Sequence, residues 1–247
     1  AGMIENGEAQ GHLALWDSIL KIDTVKMIDS CASGGHRLDL ETMRRAVALH
    51  PTDYNYNDMA AKHIGTYGLA EWFPFMGANT GFAEYHSYTS RYILRSAYRQ
   101  SIACQVSMGS LTAAQKQLVA DSEKEWRGIS KYFYDDVYEL TKNTASANEW
   151  YSYGYMNSEE QNGFALVFKR SDAAPETQVI RLKGLNYNDT YEITFADSDA
   201  KVTGTGAQLM YNGVSVTLNE VEQRGGCDSD IIYIKRTAIG QDDDDDE

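Results

Sequence analysis

The chain is poor in cysteine, proline and basic residues, and each shortage removes a class of function. Three cysteines in 247 residues, Cys31, Cys104 and Cys227, are an odd count without a C-x-x-C pair. They indicate neither a disulfide framework nor a zinc site. Only 22 Lys and Arg stand against 36 Asp and Glu, for a formal charge of −14, and no basic cluster offers phosphate neutralisation. A nucleic-acid partner is therefore excluded from the reading. No run approaches the roughly 20 apolar residues of a transmembrane helix, and Ala1 to Glu5 have neither the basic start nor the apolar body of a signal peptide. No membrane partner is expected, and the compartment stays open between cytoplasmic and secreted.

What is present is a globular composition, 43% apolar with 17 tyrosines, enough for one large or two ordinary domains. Six of the negative charges lie in residues 242–247, and without them the charge is −8. That run reads as a solvated tail or linker, because it lacks the turn glycine and ligand spacing of a calcium loop.

The most informative stretch is Ile28-Asp29-Ser30-Cys31-Ala32-Ser33-Gly34-Gly35-His36-Arg37-Leu38-Asp39, where an apolar lead-in runs into a polar loop. Gly34 and Gly35 let the backbone bend sharply and let a ligand approach its N–H groups. Arg37 offers a rigid fork of donors, with Asp29 and Asp39 available to orient it or to accept from a ligand. The apolar spacing from Leu40 to Leu49 predicts a helix after the loop. Similar units follow. A polar and aromatic run, His50 to Asp58, precedes a helix over Met59 to Tyr67; residues 71–79 lead into a third polar loop; residues 102–108 precede a helix over 111–132. Repeated strand, loop and helix units predict a parallel sheet with its chemistry at the carboxyl ends of the strands, the habit of a (β/α)8 (TIM) barrel. Four barrel strands are expected here.

From about Ser146 the pattern changes to short β-branched and aromatic segments at 150–156, 163–169, 177–182, 190–195, 214–218 and 230–235, separated by Gly, Asn and Asp turns. These predict an antiparallel β-sandwich. The division expected is therefore 1–145 partial barrel, 146–237 β-sandwich and 238–247 acidic tail. Trp150, Tyr151, Tyr153 and Tyr155 admit a sugar-binding role, but aromatic residues at alternating strand positions read first as core, and the domain reads as a buttress for the barrel.

The signature loop resembles the Cys, glycine-run, Arg-x-Asp motif of the family 36 glycoside hydrolases, the α-galactosidase-like enzymes. Thr52-Asp53 sits where that family's Ser-Asp motif holds the general acid/base. The likeness extends to Gly11 to Asp17, similar to the helix before the signature, and to Lys131 to Thr141, similar to the passage from barrel to β-domain. On this resemblance the fold is roughly the last four strands of the barrel followed by a C-terminal β-sandwich. The reaction implied is retaining hydrolysis of α-galactosides or near relatives, such as N-acetylgalactosaminides or other α-glycosides, by two carboxylates about 5–5.5 Å apart. Asp53 is the implied acid/base, with Asp58 a competitor whose position suits a helix N-terminus. Cys31, Gly34 and Arg37 are implied sugar contacts, and Trp72 either lines the pocket or fills the barrel interior.

The family's nucleophile lies on an earlier strand with no counterpart here, so the resemblance implies the second half of a barrel, inactive alone. Its partners would be a glycoside substrate and the missing N-terminal half. An unpaired first strand near residues 26–29 also predicts a homo-oligomer. His50-Pro51, where many members carry Trp, and His36, in place of a glycine, reshape the sugar pocket. No cofactor or metal is implied. The alternative reading is a non-catalytic carbohydrate-binding or scaffolding protein that has kept half a barrel.

Overall fold

In the computed structural model the described residues are 2–22, 27–30, 35–53, 59–73, 75–80, 90–103, 109, 111–171, 174–219 and 226–241. The first element is helix α1 (Gly2–Ile22), none of whose residues is buried. Its link to the body is Asp17, whose carboxylate takes two hydrogen bonds from Arg45, at 2.7 and 3.1 Å.

Four extended segments then run parallel in chain order. Val47 N–H donates to the Ile28 carbonyl and Ser30 N–H to the Val47 carbonyl, which pairs 28–30 with 47. Ala48 bridges Met76. Strand β1 (Gly77–Asn79) pairs in parallel with β2 (Ser101–Ala103), residue for residue. Helices α2 (Leu40–Met43), α3 (Met59–Tyr67) and α4 (Arg91–Arg95) lie between successive segments in sequence, and α5 (Ala113–Ile129) follows β2. Ala48, Met76 and Ala78 are buried, as parallel strands covered on both faces require. Gly77 shows how closely they pack: a Cβ there would stand 2.5 Å from the Leu49 carbonyl oxygen.

The helix expected over 40–49 is corrected by this arrangement. It stops at Met43, and Val47 and Ala48 join parallel neighbours instead. The apolar run suited either period, and pairing with both neighbours outweighs local helix propensity. Helix α5 fits its sequence signals better. Thr112 caps it and Gln115 returns the bond, a complete capping box.

The second part contains β3 (Asp136–Glu139), β4 (Trp150–Asn157), β5 (Asn162–Lys169), β6 (Thr177–Ile180), β7 (Thr190–Phe195), β8 (Lys201–Thr205), a short α6 (Gly206–Tyr211), β9 (Val214–Thr217) and β10 (Asp228–Ala238). One antiparallel sheet has the order β3-β4-β5-β10-β7-β8, and β6 pairs with β9 in a second. The larger sheet thus begins at Asp136, ahead of the change in composition near Ser146.

Period-2 alternation puts Trp150, Met156, Val167, Ile193 and Ile232 on one face, against Ile180, Leu209, Val214 and Val216. The opposite face, Tyr151, Tyr153, Tyr155, Phe164 and Phe168, is also covered. It packs on Tyr67 of α3, Tyr92 of α4, Tyr98, Ile129 and Phe133. The strand tyrosines are therefore the seam between the two parts, and β4 and β5 have no wet face.

Candidate functional site

The loop that ends at Asp39 meets the Thr52-Asp53 segment. Gly35 adopts φ +98°, a left-handed conformation that favours glycine, and a Cβ there would lie 3.2 Å from the Pro51 carbonyl oxygen. Leu38 N–H closes the turn on the Gly35 carbonyl at 3.2 Å. Asp39 then caps α2, accepting from the Thr42 N–H at 2.9 Å and the Thr42 hydroxyl at 2.8 Å, which hold its carboxyl below the usual range. Asp29 accepts from the Leu49 N–H at 3.1 Å. Both carboxylates thus hold backbone, and Arg37 stands exposed at the loop's tip.

Pro51 and Thr52 are buried while Asp53 is exposed. Helix α3 lies directly on the motif, since a Cβ on Gly65 would come within 3.0 Å of the Thr52 Cβ. Gly35, Leu38, Pro51, Thr52, Ile64 and Gly65 enclose much of a cavity of about 290 Å³ between loop and helix.

Sequence reasoning missed a polar cluster beside this junction. Lys62 of α3 is fully buried and donates from Nζ to the Asn79 carbonyl at 2.5 Å, at the carboxyl end of β1. The Asn79 amide nitrogen lies 3.4 Å from His50 Nδ1, one residue before Pro51. Burial lowers the Lys62 ammonium to about 7. Nothing in a helical pattern of Lys and Ala marks a lysine for the interior.

Of the remaining sequence-predicted site residues, Cys31 and Gly34 lie outside the described residues, as do Asp58, Cys104 and the acidic tail. Trp72 stands 75% exposed in the turn after α3, ahead of β1 and away from its carboxyl end. The geometry sets Gly35 against Pro51, next to Thr52-Asp53, and leaves Trp72 largely exposed. Among the described residues no group of three His, Cys, Asp or Glu is placed to hold a metal ion. No described helix is long and apolar enough to cross a membrane.

Residues 137–234 match the glycosyl hydrolase family 36 C-terminal domain. This part of the chain is similar to a family 36 C-terminal domain. The match takes in the whole span from β3 into β10, so both antiparallel sheets belong to it. No curated protein matches the chain. Solved structures do. An α-galactosidase from Lactobacillus brevis superposes with a TM-score of 0.76 at 18% identity, over 93% of this chain and 31% of its own. A family 36 α-galactosidase from Geobacillus stearothermophilus, solved with raffinose, gives 0.72 at 18%, over 91% and 30%. The galactosidase domain of an α-galactosidase-sucrose kinase gives 0.69 at 16%, over 89% and 30%. At such identities the likeness is one of fold, and the chain spans about 30% of the length of these structures.

Proposed function

We propose that this chain is part of a retaining glycoside hydrolase that removes terminal α-galactosyl groups, with Asp53 as general acid/base. The parallel segments are the last four strands of a (β/α)8 barrel in this reading, and the family 36 domain buttresses them. The observation that carries it is the contact of Gly35 with Pro51, which sets the Arg37 loop against Thr52-Asp53 at the carboxyl ends of the strands. Chemistry on such a barrel concentrates at that end.

Asp53 first protonates the departing glycosidic oxygen and then takes a proton from the attacking water. Arg37 presents its planar fork to vicinal hydroxyls, and Cys31 and Gly34 complete the loop around the sugar. The nucleophilic carboxylate comes from a strand outside this chain, so the chain alone is inactive. Exposed Met27, beside the first parallel segment, and the unburied α1 are surfaces for that missing half or a second copy.

The test is Asp53→Asn in a polypeptide that includes the nucleophile-bearing half. Hydrolysis of substrates with poor leaving groups falls by about 10²–10⁴, the usual worth of a general acid. Cleavage of an aryl α-galactoside with an acidic phenol is partly spared. Equal loss on both substrates removes Asp53 from the acid role.

A further inference from the structure

On the β-domain, away from the Asp53 loop, residues 185–189 and the end of β10 with Ile239 and Gly240 frame a cleft of about 440 Å³. Its aromatic component is unlike the rest of the domain. Tyr151, Tyr153, Tyr155 and Tyr191 are buried, whereas Tyr187 and Tyr211 are 57% and 68% exposed. Among the described residues just one other tyrosine, Tyr134, is as open, and the two here are neighbours, ring centroids 6.4 Å apart and inclined at 63°. The neighbouring Tyr211 hydroxyl raises the Tyr187 phenol above its ordinary range. Scattered exposed aromatics need no explanation; here the Tyr187 ring lines the cleft and the Tyr211 ring stands next to it, two aromatic walls for one ligand.

The cleft is held in shape by its own polar groups. The Ala207 N–H donates to the Tyr187 carbonyl at 3.0 Å and the Gly206 N–H to the Asp189 carbonyl at 2.9 Å. The Asp189 carboxylate accepts from Gly240 N–H at 2.9 Å, Asn186 Nδ2 at 3.1 Å and Arg236 Nη1 at 3.2 Å. Arg181 Nε fixes the Tyr211 carbonyl at 2.9 Å. Gly206 and Gly240 lie so close to the Asn186 and Asn188 carbonyls that neither has room for a Cβ. Arg236 bonds Asp189 through Nη1, and Arg236 and Asn186 both line the cleft.

We infer that this cleft is a saccharide-binding subsite, taking a neutral pyranose whose apolar face lies on Tyr187 and Tyr211 and whose hydroxyls meet Arg236 and Asn186. The chemistry selects that class. A purely apolar ligand would cover the Asn186 amide and the Arg236 guanidinium without meeting their remaining donors and acceptors, and an anion would find one cation already neutralised by Asp189 on a chain of charge −14. A sugar combines an apolar face with edges of paired donors and acceptors, matching a concave site of aromatic walls and few fixed polar groups. The inference does not depend on the role of Asp53.

Titration of the full chain, ¹⁵N-labelled, with methyl α-D-galactopyranoside and with raffinose tests it. Saturable amide shifts are expected at 185–189, 206–211 and 236–240, with a Kd on the order of 1 mM. Tyr187→Ala with Tyr211→Ala should weaken binding at least about tenfold, whereas Tyr187→Phe, which keeps the ring, should stay within about threefold. Both positions are on the surface, and circular dichroism of the variants checks that the fold is kept. Shifts confined to residues 35–53, equal binding by the double alanine variant, or no saturation by about 50 mM sugar would overturn the assignment.

Discussion

Arg170 donates from Nε to His63 Nδ1 at 3.3 Å, joining the residue after β5 to the helix that lies on the Thr52-Asp53 motif. The bond also settles the tautomer. The Ser96 hydroxyl gives its proton to the Tyr92 carbonyl at 2.6 Å, so it accepts from His63 Nε2–H at 2.9 Å and leaves Nδ1 as the acceptor. Arg170 further donates to the Thr144 and Ser146 carbonyls at 2.5 and 3.2 Å, lies over the Tyr151 ring, and accepts from the buried Cys227 thiol through its own carbonyl. The connection between the two parts, the seam aromatics and α3 are thus one polar network set in aromatic packing. A shift of the β-domain would be felt at the helix behind Asp53.

His63 should make stability fall with acid. Burial lowers its pKa well below the ordinary value, with the nearby Arg170 and Lys62 charges acting in the same direction. The unfolded chain then binds a proton near pH 6.5 that the folded chain refuses, so this stability is present above that pH and lost as pH falls below it, by up to about 1.4 kcal/mol per unit. Denaturant midpoints from pH 8 to 5 should show the slope, and His63→Gln should flatten it. An unchanged slope would mean that other groups carry the acid sensitivity.

Arg95 is the second tie across the seam. Its side chain, 1% exposed, reaches Glu125 of α5 at 2.7 and 3.1 Å, both oxygens of Asp197 at 2.7 Å, and the Ser229 carbonyl at 2.7 Å. Removing it as Arg95→Met leaves Glu125 with the Tyr98 hydroxyl and Asp197 with the more exposed Arg91, and about 3 kcal/mol of stability should be lost. Urea unfolding measures this. A loss below about 1 kcal/mol would place the cluster among weak surface pairs.

These ties explain what was legible in the sequence. The alternation in β4, β5 and β7 is local, so those strands could be placed from the chain alone; Gly35 stood out because a glycine run is local as well, whereas Thr52-Asp53 was singled out by the family resemblance. β8, reading Lys-Val-Thr-Gly-Thr, is an exposed edge strand without apolar alternation, and its pairing comes from β7. α6 is too short for helical periodicity, though its Thr205–Gln208 capping box was a readable sign. Lys62, His63 and Arg95 were illegible for a different reason. Their partners are far along the chain, and a charged residue on a helix carries no local mark of burial.

Asp230 should act in the sense opposite to His63. It is buried on β10, and desolvation, with the Asp197 charge second, raises its carboxyl to about 6; Arg95 and the N–H groups of Ile231 and Asp197 oppose this. The folded state therefore holds a proton between about pH 4 and 6 that the unfolded state has released, and stability from this group declines as pH rises through that window. Asp230→Asn keeps an acceptor oxygen without the charge. It should stabilise the chain by roughly 1–3 kcal/mol at pH 7 and by little at pH 4. Thermal unfolding at the two pH values decides it: a variant equally or less stable at pH 7 would mean that Arg95 needs this third carboxylate.

Lys62 gives the clearest case at the other end of the scale. Its ammonium is buried at the junction of α3 with the carboxyl end of β1 and lowered to about 7 from an ordinary value of 10.5. Between those values the unfolded chain carries a proton that the folded chain does not, so stability rises with pH across the window, and the full cost of burying the charge is felt below about pH 7. Lys62→Met fills the space without a charge but forfeits the bond to Asn79. The stability of the variant relative to the parent should therefore be greatest at pH 7 and below and should shrink by roughly 4 kcal/mol toward pH 10.5. Taking the difference between the two proteins cancels the titration of the tyrosines common to both. Parallel stability curves would show that the lysine reaches solvent or a counter-charge when protonated, and its place as a buried strut behind the Asp53 loop would be lost.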